Sequence, residues 1–199
     1  MGRSKAWLPV GGEPMLVRVA RVVGAAVEPV VVVAGPGKEL PDLPAGVEVV
    51  RDAAEGNGPL QGLAAGLAAL AERTDAAFTV GCDAPFLTAA FIQRLVSLRG
   101  DADACVCAPG DFPRPLPGVY AVGVLDRVDE RLAAGLYSLR GLLERVTTRL
   151  AHPSELADID PTLESLRNIN TPDDYTRALA DLAQMRHEHH DLPDVPRDD

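Results

Sequence analysis

The chain predicts an α/β domain built on a doubly wound, mostly parallel sheet. Three observations predict it. Short β-branched and apolar runs alternate along the chain with segments of helical periodicity. The run at 30–34 (Val-Val-Val-Val-Ala) is continuous, as in a strand covered on both faces. Asp52 and Asp83 each follow an apolar strand, at the carboxyl ends where open α/β sheets take ligands.

In order, the first helix spans 14–27, with proline in its first turn and Leu16, Val19, Val23 and Ala26 recurring every three or four residues. Glu28-Pro29 ends it before the strand at 30–34. Gly35-Pro36-Gly37 is loop, and 47–50 is a short apolar strand. A turn at 55–59 (Glu-Gly-Asn-Gly-Pro) leads to an Ala/Leu helix at 60–71 and a strand at 76–80. Thr88 is placed to cap a helix through Leu98, followed by a strand at 102–108. Pro113, Pro115 and Pro117 interrupt the pattern before a short strand at 118–122. Helices at 124–134 and 138–146 precede a strand at 148–151, and Thr171 with Pro172 starts the last helix. Apolar periodicity stops near Met185. The expected organisation is one domain over 1–185 and a disordered acidic tail over 186–199.

A chain of 199 residues is long enough to bury a real core, and 4% aromatic content means Val, Leu and Ala must fill it. A formal charge of −10 disfavours nucleic acid and anionic membrane as partners. It leaves room for a nucleotide bound with a cation. The run at 30–34 is far shorter than the roughly 20 residues that span a bilayer, and 1–10 lacks the apolar region of a signal peptide. A cytoplasmic location is expected. Cys105 and Cys107 share a face of one strand and, with Cys82, read as free thiols.

The residues that carry chemistry are few. Asp83 emerges from an apolar strand into Ala-Pro-Phe, where it reads either as a Mg²⁺ ligand, with phosphate oxygens completing the shell, or as a turn cap. Lys5 is one of two lysines and lies near glycine; it reads as a phosphate contact or as a solvated surface residue. The segment 56–59, including Gly58, would bring backbone N–H groups to a phosphate or base edge, or is a plain turn before a helix. His187, His189 and His190 fall in the expected tail and read as solvated.

Taken together, these pieces are more specific. Met-Gly-x-x-Lys-x-x-Leu-Pro at 1–9, then Gly-Gly-Glu-Pro-Met-Leu at 11–16 and a helix, resembles the start of the small sugar-nucleotide-type nucleotidyltransferases. Four segments in order (1–8, 58–67, 82–87 and 168–175) resemble the molybdenum cofactor guanylyltransferases. The resemblance implies a Rossmann-like nucleotidyltransferase fold and transfer of GMP from GTP to the phosphate of molybdopterin or Mo-molybdopterin. It assigns Mg²⁺ to Asp83 and GTP phosphates to Lys5. Asp52 lies where the family contacts GTP, 58–66 would wall the guanine, and Asn168 and Asn170 would face the pterin. A weak contact with other cofactor-biosynthesis proteins is expected as well.

The chain departs from the family pattern in three places. Members begin with an apolar strand running into Leu-Ala-Gly-Gly-x-x-x-x-Arg, directly before the Met-Gly that stands here at 1–2. The expectation is a sheet whose first, central strand is missing and a true start upstream of Met1. Ser4 stands where many members have Asp, and Val33, Ala34 and Gly35 stand where members often place an Asn. A cytidylyltransferase for the same cofactor, or another small nucleotidyltransferase, is the nearest alternative. A non-catalytic nucleotide-binding remnant is another. No Gly-x-Gly-x-x-Gly follows a strand, which argues against a dinucleotide oxidoreductase.

Overall fold

The structure, a computed structural model, describes residues 4–52 and 58–190, with side chains to residue 184. Residues 1–3 of the opening motif and the Gly56-Asn57 turn therefore lie outside the described residues, as does 191–199.

A 3₁₀ turn (Lys5–Trp7) leads into a hairpin of β1 (Pro9–Val10) and β2 (Glu13–Pro14). Gly11 and Gly12 close it with φ of 66° and 95°, the left-handed pair that a two-residue hairpin loop requires. The hairpin was not legible as strand, because two-residue arms carry no periodicity. Helix α1 (Met15–Gly24) buries Met15, Leu16, Val19, Ala20 and Val23, the face its spacing predicts. β3 (Val30–Ala34) pairs in parallel with β4 (Val47–Arg51), and α2 (Gly58–Leu70) connects them to β5 (Ala76–Thr79). Helix α3 (Ala89–Arg99) starts at Thr88, whose hydroxyl accepts from Phe91 N at 3.2 Å.

The next strands, β6 (Ala104–Cys107), β7 (Arg114–Ala121) and β8 (Thr148–Ala151), join β5 in the order β5-β7-β6-β8. β6 and β8 are parallel. β7 runs antiparallel to both β5 and β6, since the short 108–113 connection permits a hairpin but not a crossover. β7 also corrects the expectation that the prolines keep 113–117 out of the sheet. Arg114 pairs with Cys107 and Gly118 with Val106, so the ladder shifts register and Pro115 and Pro117 occupy the irregularity between. Two helices, α4 (Leu125–Ala133) and α5 (Leu139–Leu143), precede β8, and α6 (Pro172–His190) is the last element among the described residues. The backbone of α6 runs on past 185 to His190. No helix among the described residues is long and apolar enough to cross a membrane.

The sheet is covered on both faces. Cys105 and Cys107 point into a cluster with α1 and α3 residues such as Val19, Phe91 and Leu95. Ala104 and Val106, one residue out of phase, face Leu63 and Leu67 of α2, Val128 of α4 and Leu142 of α5. The three cysteines are free, and Cys105 and Cys107 are buried. A third cluster joins Val10 and Met15 to Phe86, Ile169 and α6 residues Ala178 and Leu182. That cluster brings distant parts of the chain to one end of the sheet.

β3 and β5 do not pair with each other, and neither has a second strand partner among the described residues. Between them lies a cavity of about 600 Å³, lined by Val30–Val33, the β5 residues and Leu63 and Leu67 of α2. The opening explains a difference: Val30–Val33, expected to be buried on both faces, are half-buried. Filling the opening has a measurable consequence. An N-terminal extension supplying a five-residue apolar strand should raise the thermal midpoint by on the order of 10 °C. Each buried side chain contributes about 1.5–3 kcal/mol against roughly 1–2 kcal/mol of backbone ordering. Equal midpoints with and without the extension would show that the cavity is not a strand site.

Candidate active site

Asp83 lies just past β5, in the turn Cys82-Asp83-Ala84-Pro85-Phe86. The turn is held from two sides. Arg18 of α1 donates through Nε to Pro85 O at 2.7 Å, and the Arg167 guanidinium stacks 4.6 Å over the Phe86 ring. Arg167 is itself fixed by ion pairs to Asp181 at 2.6 Å and Glu164 at 3.1 Å.

Lys5 reaches this turn from 78 residues earlier in the chain. Its Nζ donates to Asp83 Oδ2 at 3.0 Å and to Asn170 Oδ1 at 2.8 Å. The Lys5 and Asp83 side chains keep 32% and 21% of their exposure, enough to be open to a ligand. Leu8 and Met15 tie the 3₁₀ turn to the hairpin through the Met15 N to Leu8 O bond, and Tyr175 of α6 donates to Pro9 O at 2.7 Å. The segment before α6 is pinned in turn: Ile169 N donates to Asp83 O at 2.9 Å. Burial, and then the Asp83 charge, push the Cys82 thiol up.

Asp174 fixes the same segment. Its Oδ2 accepts from Asn170 N at 3.1 Å and Thr171 N at 2.9 Å, while Asp174 N donates to the Thr171 hydroxyl at 3.1 Å. Thr171 thus caps α6 as its sequence context predicts. The Thr171 side chain, then the Thr171 and Asn170 N–H groups, hold the Asp174 carboxyl at about 2 against an ordinary 3.8. A depressed carboxyl supports the fold above its ordinary value and loses that support as pH falls toward 2, so the segment stays fixed throughout the neutral range.

The other sequence-expected residues lie on other elements. Asp52 lies at the carboxyl end of β4, its N–H bonded to Ala34 O at 2.9 Å. Gly58 opens α2 with φ of 70°, a conformation that favours glycine, and nothing lies within 4 Å of a Cβ there. Asn168 and Asn170 line a second cavity of about 670 Å³ together with Pro59, Arg114, Arg167 and Asp174. Arg114 reaches it from β7, donating through Nη1 to Leu166 O at 2.7 Å. Lys5, Asp83 and Asn170 therefore meet directly, and Asn168 joins Asn170 in the adjoining cavity.

Sequence reasoning missed Arg114 and Gly81. A Cβ on Gly81 would stand 2.5 Å from Asp83 Oδ1, so the carboxylate occupies space that only glycine leaves open. The obstruction is the tip of a mobile side chain, so stability should hardly change. Gly81→Ala is expected to shift the thermal midpoint by no more than about 2 °C. Activity should fall by on the order of 10²-fold as the carboxylate is displaced. Unchanged kcat/KM in Gly81→Ala would show that the Asp83 position is not critical.

Among the described residues no group of three or more His, Cys, Asp or Glu side chains could hold a metal by itself. One carboxylate at a ligand-accessible turn fits a hard cation that takes its remaining ligands from phosphate and water, as Mg²⁺ does.

Residues 1–152 match the family model described as MobA-like NTP transferase domain. A probable molybdenum cofactor guanylyltransferase of Mycobacterium avium (strain 104) is 34% identical over 184 residues, covering 90% of this chain and 88% of the relative. One from Mycobacterium tuberculosis (strain ATCC 25618 / H37Rv) is 39% identical over 148 residues, covering 72% and 73%. Among solved structures, molybdopterin-guanine dinucleotide biosynthesis protein A from Archaeoglobus fulgidus superposes with a TM-score of 0.76 at 24% identity, covering 92% of this chain and 93% of that one. The fold is also that of 2-C-methyl-D-erythritol 4-phosphate cytidylyltransferase from Thermus thermophilus, with a TM-score of 0.65 at 19% identity over 90% and 93% of the two chains. The chain belongs to the MobA-like NTP transferases, the nucleotidyltransferase family that includes the molybdenum cofactor guanylyltransferases.

Proposed function

We propose that the protein transfers the GMP unit of GTP to the terminal phosphate of molybdopterin, with or without bound molybdenum. An acceptor phosphate oxygen attacks the α-phosphorus, a new P–O bond forms, and the bond to the β-phosphate oxygen breaks to release pyrophosphate. The observation that carries this reading is the meeting of Lys5 with Asp83 and Asn170 at the carboxyl end of the sheet, beside a cavity lined by Arg114. Such a reaction needs no protein nucleophile; positioning and charge stabilisation supply the rate.

Asp83 would hold Mg²⁺, which when bound supplies charge neutralisation at the triphosphate. Lys5 binds the phosphates and stabilises the charge that builds on the departing pyrophosphate. Asp52 and Gly58, at the ends of β4 and the start of α2, serve the nucleoside side. Arg114, Asn168 and Asn170 line the acceptor side, where cation and amide donors suit an anionic pterin phosphate. A cytoplasmic setting suits both substrates.

The nucleotide assignment is tested by titration with GTP and CTP in Mg²⁺. GTP should bind at least about tenfold more tightly than CTP, the scale of one lost polar pairing at a base edge. Tighter CTP binding would assign the chain as a cytidylyltransferase instead.

A further inference from the structure

The acceptor-side and nucleotide-side residues are not separate: Asn170 belongs to both. It lines the cavity with Arg114 and Asn168, and its Oδ1 accepts from Lys5 Nζ at 2.8 Å. We propose that Asn170 is a positioning residue for Lys5, and that the 168–171 segment thereby couples the acceptor cavity to the nucleotide phosphates. The proposal rests on Lys5 being the phosphate-binding group of the reading above.

The argument begins with the ammonium. Lys5 offers three donors, of which Asp83 Oδ2 and Asn170 Oδ1 each take one, leaving the third for a ligand. A lysine on a flexible four-carbon stem loses its aim unless something holds it. Asp83 holds it here, but a carboxylate that turns to a divalent cation gives up its hold on the ammonium. Asn170 is then the partner left of the two. As a neutral carbonyl it orients the ammonium without cancelling its charge, which an aspartate at this position would do.

Asn170 is itself presented by a fixed backbone. Its N–H is held by Asp174, Ile169 N–H is held by the Asp83 carbonyl, and the Ile169 side chain is 1% exposed in the cluster with Phe86 and Met15. A ligand that moves this segment from the cavity side therefore moves the acceptor of the Lys5 bond. The α6 cap uses only the backbone of Asn170, so the side chain is removable without loss of the cap.

The chain has two lysines, Lys5 and Lys38, so lysine-selective isotope labelling yields two side-chain NMR signals. Without nucleotide, Asn170→Ala should move the Lys5 signal and leave that of Lys38 in place. With no acceptor present, it should weaken Mg-GTP binding by about tenfold, the weight of one hydrogen bond to a charged group. In a Lys5→Ala background it should weaken binding no further. Asn170→Asp should keep the Lys5 signal shifted toward an ion pair yet lower kcat. An unmoved Lys5 signal in Asn170→Ala, with Mg-GTP affinity unchanged and only the acceptor KM raised, would overturn the proposal. If the wild type prefers Mg-CTP, the nucleotide assignment fails while the same comparison, made with Mg-CTP, still decides this one. If neither nucleotide binds, the Lys5 signal alone decides.

Discussion

Asp83→Asn is expected to lower nucleotidyl transfer by about 10³-fold or more, with a thermal midpoint within a few degrees of the wild type. The substitution is nearly isosteric and leaves intact the Asp83 backbone carbonyl that accepts from Ile169 N. It removes the anionic oxygen that accepts from Lys5 and that, on the proposed reading, would hold a hard cation. The stability effect is small because the Lys5–Asp83 pair is partly exposed, and pairs of that kind contribute about 1 kcal/mol or less. The check is kcat at saturating Mg²⁺ alongside thermal unfolding. Near-wild-type rates in Asp83→Asn would remove the metal assignment. A large fall in midpoint would recast Asp83 as a residue that holds the turn.

Lys5→Ala is expected to lower kcat/KM by on the order of 10²-fold, through lost stabilisation of the leaving pyrophosphate. Lys5→Arg should recover little of this. The geometry supplies the reason: the ammonium sits between two oxygens at 3.0 and 2.8 Å, a site that suits a compact donor better than a planar fork. Steady-state kinetics on the three proteins decides the point. Full activity in Lys5→Ala would leave Lys5 as a surface residue, and full rescue by Lys5→Arg would show that only the charge matters.

Much of the fold is legible in the chain because burial on two faces and local capping leave direct marks. The strand at 30–34 matches β3 to the residue, since a β-branched run bounded by turn residues admits few other readings, and the strand expected near 148–151 is β8. Thr88 and Thr171 cap the helices that follow them, as short hydroxyl side chains do at such boundaries. β7 was shortened because proline argues against a strand, and only the register shift beside Cys107 makes room for Pro115 and Pro117. The antiparallel direction of β7 follows from the short 108–113 connection only once β7 is known to begin at Arg114 and pair with β6.

The site divides in the same way. Asp83 is legible as a residue at the end of an apolar strand, and Lys5 and Asn170 by resemblance. That the last two touch is a tertiary fact, set by the cluster of Val10, Met15, Phe86 and Ile169 that folds the hairpin against α6. Gly81 carries no sequence signal at all, because its role is the space it leaves for the Asp83 carboxylate.

The central claim is that Lys5, Asp83 and the Asn168–Asn170 cavity join a guanylyl unit to molybdopterin. The most direct test is to incubate the protein with Mg²⁺, molybdopterin and GTP labelled at the α-phosphorus, and to follow the label and the pyrophosphate together. The expected result is label in a pterin dinucleotide, one pyrophosphate released per label transferred, and neither product from Asp83→Asn. Pyrophosphate without labelled dinucleotide, or transfer that survives Asp83→Asn unchanged, would contradict the account.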